Sequence, residues 1–183
     1  MARPEVERPN AYWSMDFVVD SLFNGHRFRA LAIVDNYSRE CLAIETGQSM
    51  TGAEVAGVVE RLGKKRGAPD RIQCDNGSEF VSRALDKWAY ENGVAMDFSR
   101  QGKPMDNAMI ESFNGTFRDE CLNVNWFLSM EDAREKIEKS REEYNMFRPH
   151  SALGDLTPRQ FVDKFLTRIQ GQKTPLLAGP VSG

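Results

Sequence analysis

Three carboxylates in this chain of 183 residues stand where an acid is costly or conspicuous. Asp16 lies inside the aromatic and apolar run YWSMDFVV (12–19), Asp75 closes the short run RIQCD (71–75), and Glu111 follows the segment SRQGKPMD (99–106). An ionised carboxylate buried without a partner costs on the order of several kcal/mol, so Asp16 calls for a cation or for hydrogen-bond donors. Carboxylates that hold two divalent ions roughly 3.5–4 Å apart can activate an attacking oxygen and stabilise the leaving oxygen of an in-line displacement at phosphorus. Oxygen ligands favour Mg²⁺ or Mn²⁺. No nucleophilic side chain is then required, because water or a substrate hydroxyl attacks directly.

The elements that must position these acids can be read from periodicity. Residues 12–19, 27–34 and 41–48 read as strands joined by short turns, the first of them Asn24-Gly25, which makes an antiparallel meander. Thr51 and Glu54 form a capping box ahead of a helix with Val55, Val58, Val59 and Leu62 on one face. Strand 71–75, helix 82–92 and strand 94–98 continue a β-α-β-α-β alternation that implies parallel neighbours, and ligands of such sheets gather at the carboxyl ends of strands, where Asp75 falls.

A loop over 99–106 feeds a helix over about 107–122. On it Asn107, Glu111, Asn114 and Arg118 share one face, while Ile110, Phe113, Phe117 and Cys121 form a separate apolar one. A charged helix over 129–148, capped by Ser129, and a last helix after Thr157-Pro158 complete the chain. The expected division is a leader over 1–11, a core over 12–166 and a disordered tail over 167–183, the Gly- and Pro-bearing stretch 171–183 above all.

Composition fits one α/β domain, with 40% hydrophobic and 28% charged residues and no apolar run near the roughly 20 needed to span a bilayer. Three cysteines without C-x-x-C spacing (Cys41, Cys74, Cys121) suggest neither a disulfide framework nor a zinc site, and read as reduced, buried small hydrophobes. A net charge of −3 argues against a polyanion-gripping protein, but acids that bind cations lower the formal charge without repelling DNA once loaded. Candidate phosphate contacts are Lys64, Lys65, Arg66, Arg100 and Lys103, with Asn107, Asn114 and Arg118 on the Glu111 face.

Asp75 and Glu111 are separated by the thirty-five residues 76–110, and with Asp16 they resemble the D,D-35-E signature of retroviral-type integrases. The words WSMDF, IVDNYSREC, CDNGSEF, DNAMIESFNGTFRDECLN and YNMFRPHSALGDLTP resemble the integrase-core transposases of bacterial insertion sequences and extend over about 12–161. Asn36 and Asp155 depart from that pattern, at positions outside the triad.

The resemblance implies a ribonuclease-H-like five-stranded mixed sheet flanked by helices, with Asp16, Asp75 and Glu111 as ligands of two Mg²⁺ or Mn²⁺ ions. It implies DNA 3′-end cleavage and strand transfer, with element ends and target DNA as partners and homo-oligomers as the working form, in the bacterial cytoplasm at the nucleoid. Such transposases carry helix-turn-helix segments ahead of the core. Only about ten residues precede it here, so end recognition is expected on a separate domain missing from this chain.

Blander readings stand beside these. Asp75-Asn76-Gly77 also suits a plain turn, and a lone Glu111 a solvated helix face. Asp35 reads as the start of a turn rather than a ligand, His150 as a packing residue, and Phe113 and Phe117 as core. Two other functions compete: a non-catalytic DNA-binding or multimerisation domain from a decayed transposase, and a ribonuclease-H-like nuclease. An open triad is compatible with catalysis if the 99–106 loop moves when no metal is bound.

Overall fold

The computed structural model describes residues 6–173. Strands β1 (Tyr12–Ser21), β2 (Arg27–Asp35), β3 (Cys41–Gly47), β4 (Arg71–Cys74) and β5 (Ala95–Phe98) form one sheet in the order β3-β2-β1-β4-β5. The pairs β1–β2 and β2–β3 are antiparallel, and β1–β4 and β4–β5 are parallel. The mixed sheet is thus the meander plus parallel strands expected from the sequence.

Local chemistry sets the two turns of the meander. Between β1 and β2, Gly25 takes a φ of 86° that a side chain would resist, and Asn24 Oδ1 accepts from the His26 amide. Between β2 and β3, the buried Asp35 carboxylate accepts from the amides of Asn10 and Ser38 and from the Ser38 hydroxyl. Asp35 is therefore a turn builder, with its charge satisfied by the backbone around it.

Helices α1 (Gly52–Arg66) and α2 (Arg83–Glu91) cover one face of the sheet, and α3 (Ala108–Phe117) and α4 (Met130–Phe147) the other. Both halves of the Thr51–Glu54 capping box form, and Val55, Val58, Val59 and Leu62 are buried as the spacing predicts. They pack with Leu85 and Trp88 of α2 against Trp13, Met15, Leu31, Ile33 and Ile72. On the opposite face Ile110, Phe113 and Phe117 of α3 and Ala133 and Ile137 of α4 meet Val18, Phe28, Ala30, Ala32 and Val34. All three cysteines are buried and free.

The helix expected over 107–122 is shorter and less regular than its apolar periodicity suggests. A 3₁₀ turn (Pro104–Asn107) occupies the end of the expected loop, with Pro104 in its first turn, and α3 passes into a single π turn (Arg118–Leu122). One extra residue in that turn keeps Cys121 and Leu122 buried after Phe117. The last helix, α5 (Pro158–Lys173), runs past the expected core boundary at 166, so 167–173 are helical; the rest of the expected tail, 174–183, and residues 1–5 of the leader lie outside the described residues. No helix among the described residues is long and apolar enough to cross a membrane.

Candidate active site

Alternation along β1 decides where Asp16 points. Trp13 and Met15 join the core under α1 and α2, so Ser14, Asp16 and Val18 face the side covered by α3 and α4. Parallel pairing of β1 with β4 matches Trp13 with Ile72 and Ser14 with Gln73. Asp75 directly follows the last residue of β4, and its charge acts on Asp16. Ile72 and Cys74 point to the α1–α2 core, which leaves Gln73 and Asp75 on the Asp16 side.

The loop after β4 is docked onto the sheet by its own residues. Phe80 stacks on Phe17 with ring centroids 5.2 Å apart, and Glu79 pairs with Arg29 at 2.6 Å. The Arg29 guanidinium holds the Glu79 carboxyl below its ordinary pKa and lies 3.7 Å from the centroid of the Phe17 ring. The Gly77 amide donates to Asp75 Oδ1 at 2.7 Å. The glycine here serves close approach rather than a positive φ, because a Cβ at Gly77 would lie 2.9 Å from Asp75 Oδ1. Turn and candidate ligand are the same residue at Asp75.

Helix α3 brings the third acid. Asn114 Nδ2 donates to Asp16 Oδ2 at 3.2 Å, tying the helix face that carries Glu111 to the centre of β1. Arg118, one turn on, directs Nη2 at the Val19 carbonyl at 3.5 Å. Burial first, then the negative charges of Asp75 and Glu111, push the Asp16 carboxyl up to about 6, against the lowering effect of the Phe17 amide and of Asn114. All three acids therefore share one electrostatic field. Glu111 itself is exposed, and among the described residues no three His, Cys, Asp or Glu side chains close into a metal-ready cluster.

This donor set suits a hard divalent cation. Every candidate ligand is a carboxylate oxygen, and Asp16 carries the cost of burial and of like charges that a cation would offset. The Oδ1 atoms of Asn107 and Asn114, on the same helix face, are buried without a partner.

The structure separates the basic candidates from one another. Lys64, Lys65 and Arg66 end α1 just before β4 begins, at the opposite end of that strand from Asp75. Lys64 pairs with Glu60 at 3.3 Å, and Arg66 with Glu40 at 2.9 Å. Arg100 is held by the buried Asp106 at 3.0 Å, an anchor that the reading of 99–106 as a plain loop missed. Lys103 is exposed within that loop. Asn114, grouped with the phosphate contacts on helical spacing, instead bonds a candidate ligand. His150 packs as expected, its ring edge-on to Tyr144 at 5.1 Å.

Comparison with known proteins supplies the family. Residues 6–104 match one integrase core domain model and residues 92–158 a second model of the same description. The chain is 48% identical over 156 residues to an uncharacterised 31.7 kDa protein of insertion element IS407 from Burkholderia multivorans, covering 85% of this chain and 56% of that one. It is 42% identical over 171 residues to a 39.2 kDa protein of insertion element IS476 from Xanthomonas euvesicatoria, covering 93% of this chain and 49% of that one. The chain thus spans about half the length of these relatives.

Among solved structures, the HTLV-2 integrase catalytic core domain in complex with magnesium superposes with a TM-score of 0.63 at 17% identity, over 84% of this chain and 96% of that one. The sheet order, the flanking helices and this likeness make the fold ribonuclease-H-like. With the domain model matched across more than half of its residues, the chain belongs to the integrase core domain family, alongside the proteins of bacterial insertion elements.

Proposed function

We propose that this chain is the catalytic core of a DNA transposase, in which Asp16, Asp75 and Glu111 bind two Mg²⁺ or Mn²⁺ ions and the substrate is the DNA phosphodiester. The observation that carries the reading is the bond from Asn114, on the helix face that carries Glu111, to Asp16, whose carboxyl burial and the two other acids push up. When bound, the ions supply the positive charge that activates the attacking oxygen and stabilises the leaving one.

The chain's own residues bind and orient. Gly77 holds one oxygen of Asp75 and leaves the other to a ligand. Asn114 and the Phe17 amide fix the Asp16 carboxylate on the α3 side of the sheet. Glu111 enters from α3, behind the segment that Asp106 and Arg100 brace. In the first reaction water attacks phosphorus and the bond to the 3′-oxygen breaks. In the second the freed 3′-hydroxyl attacks a target phosphodiester, forming one P–O bond as another breaks.

Element ends and target DNA are the partners, multimers the working state, the bacterial cytoplasm the setting, and a helix-turn-helix domain outside this chain the reader of end sequence. Lys103, Arg118 and Asn107 are the strongest of the candidate DNA contacts near the triad, because Lys64, Lys65 and Arg66 sit beyond the far end of β4.

The test is a strand-transfer assay in Mg²⁺ with a pre-cut DNA end, on the wild type, Asp75→Asn and Glu111→Gln. Joined products lost in both variants support the reading. Activity above about a tenth of wild type in either sinks the assignment. Cleaved but never joined DNA from the wild type favours a nuclease. Crystals soaked in Mn²⁺ add a direct check: anomalous density between Asp16 and Asp75, absent in Asp75→Asn, is the expected result.

A further inference from the structure

Three stretches that the proposed chemistry leaves unused meet at one pocket. The turn after β2, the flank of α3 and the closing segment after α4 enclose a cavity of about 380 Å³, whose polar lining includes Arg39, Ser112, Thr116, Arg148, His150 and Ser151. At about 100° per residue, Ser112 and Thr116 lie roughly 100–140° around α3 from Glu111. The pocket therefore opens on a different flank of the helix from the Asn107–Glu111–Asn114–Arg118 face.

Its charge is positive. Arg39 has no carboxylate partner among the described residues, and its guanidinium rests against the Met109 sulfur. Its backbone sits at φ 64°, a left-handed conformation that arginine rarely adopts and that the Asp35 turn enforces through the bond from the Arg39 amide to the Asp35 carbonyl. Arg148 is tied to Glu120 through Nε at 2.8 Å.

His150 records both guanidiniums: burial first, then Arg148 and Arg39, hold its pKa below the ordinary value. Its Nε2 is buried without a partner. Two cations against one carboxylate, with hydroxyls from Ser112, Thr116 and Ser151, complement a singly charged anion with several acceptor oxygens.

We propose that this pocket is a second DNA-backbone site, in which Arg39 and Arg148 hold one phosphodiester of a strand that continues past the triad around α3. The proposal rests on the reading of DNA as the substrate, but binding and catalysis can be scored apart.

The experiment measures binding of a duplex of unrelated sequence in metal-free buffer across a salt series, for the 183-residue wild type, Arg39→Gln, Arg148→Gln and Lys87→Gln. Lys87→Gln removes an exposed cation from α2 and serves as the control. Each pocket variant is expected to weaken binding by about tenfold and to reduce the salt slope by about 0.9, equally for different sequences. Lys87→Gln leaves the slope unchanged.

To keep the test independent of how an arginine variant folds, the Nε–H resonance of Arg39 is followed by NMR in the wild type as DNA is added. It should shift with DNA and stay shifted in millimolar orthophosphate. Slopes equal to the control, or a resonance that ignores DNA, overturn the proposal. A resonance that responds equally to orthophosphate alone also overturns it and assigns the pocket to a free small anion. Strand transfer by the same wild-type sample scores the triad independently, so the two readings can fail separately.

Discussion

On one face of the sheet, α1 and α2 begin with side-chain caps, Thr51 and Ser82, and pack an apolar layer around Trp13, Leu31 and Ile72. On the other, α3 has no side-chain cap, starts from a 3₁₀ turn and ends in a π turn. The uncapped helix is the one that carries Glu111 and reaches Asp16 through Asn114. Three of the buried polar atoms without a partner, on Asn107, Asn114 and His150, lie at the start of α3, on it or against its pocket. The first face follows local rules and is scaffold. The second leaves polar groups unsatisfied where a ligand could satisfy them, which is how a functional face departs from a packing one.

The comparison is sharpest when one residue of each face is changed. Glu111→Gln is expected to lower strand transfer at least about a hundredfold while the melting temperature stays close to wild type, measured by gel assay and calorimetry. A large loss of stability in that variant would place Glu111 in the packing instead. Leu85→Ala, on the scaffold face, should cost about 2–5 kcal/mol in urea unfolding and leave the specific activity of the folded fraction unchanged.

Asp16 gives a smaller effect, with a sign fixed by its environment. Its folded pKa of about 6 lies above the roughly 3.9 of an unfolded aspartate. Between those values the native state binds the proton more tightly, so metal-free stability falls as pH rises from about 4 to 6. Asp16→Asn should flatten that decline by about 1 kcal/mol, once solvent screening of a partly buried group is allowed for. Asp35, also raised by burial, contributes a decline of the same sign to both proteins. Identical urea-midpoint profiles for wild type and variant across this pH range would remove the strain assigned to Asp16.

The helix starts give the smallest contrast. Thr51→Ala removes both halves of a working capping box and should cost about 1 kcal/mol. Asn107→Ala removes no cap bond and should cost less than about 0.5 kcal/mol by the same urea measurement. Equal costs would show that α3 is capped in solution.

Much of the fold could be read directly. The strands of the meander, the Asn24-Gly25 turn, the capping box and the apolar face of α3 all rest on interactions within a few residues, so periodicity and turn chemistry expose them. The ends of α3 could not be read this way. Its apolar spacing continues through Cys121, and only packing against the sheet and α4 produces the π turn that keeps Cys121 and Leu122 inside. The helix at 167–173 was hidden for a related reason, since Gly171 reads as a breaker while α5 continues through it.

The candidate site divides along the same line. The three candidate acids, the family words around them and the elements that carry each are legible without the fold, because those are matters of residue type and local period. Only the packing of distant segments brings the charge of Asp75 to bear on Asp16. That depends on the register between β1 and β4, which the apolar layer under α1 and α2 selects: a slip of one residue would turn Asp16 onto that layer. Tertiary structure also decided that Asn114 bonds a candidate ligand and that Arg39, Thr116 and Arg148, distant in sequence, enclose one pocket. Contacts between distant segments carry no local period, and they form only when packing on both faces of the sheet is satisfied together.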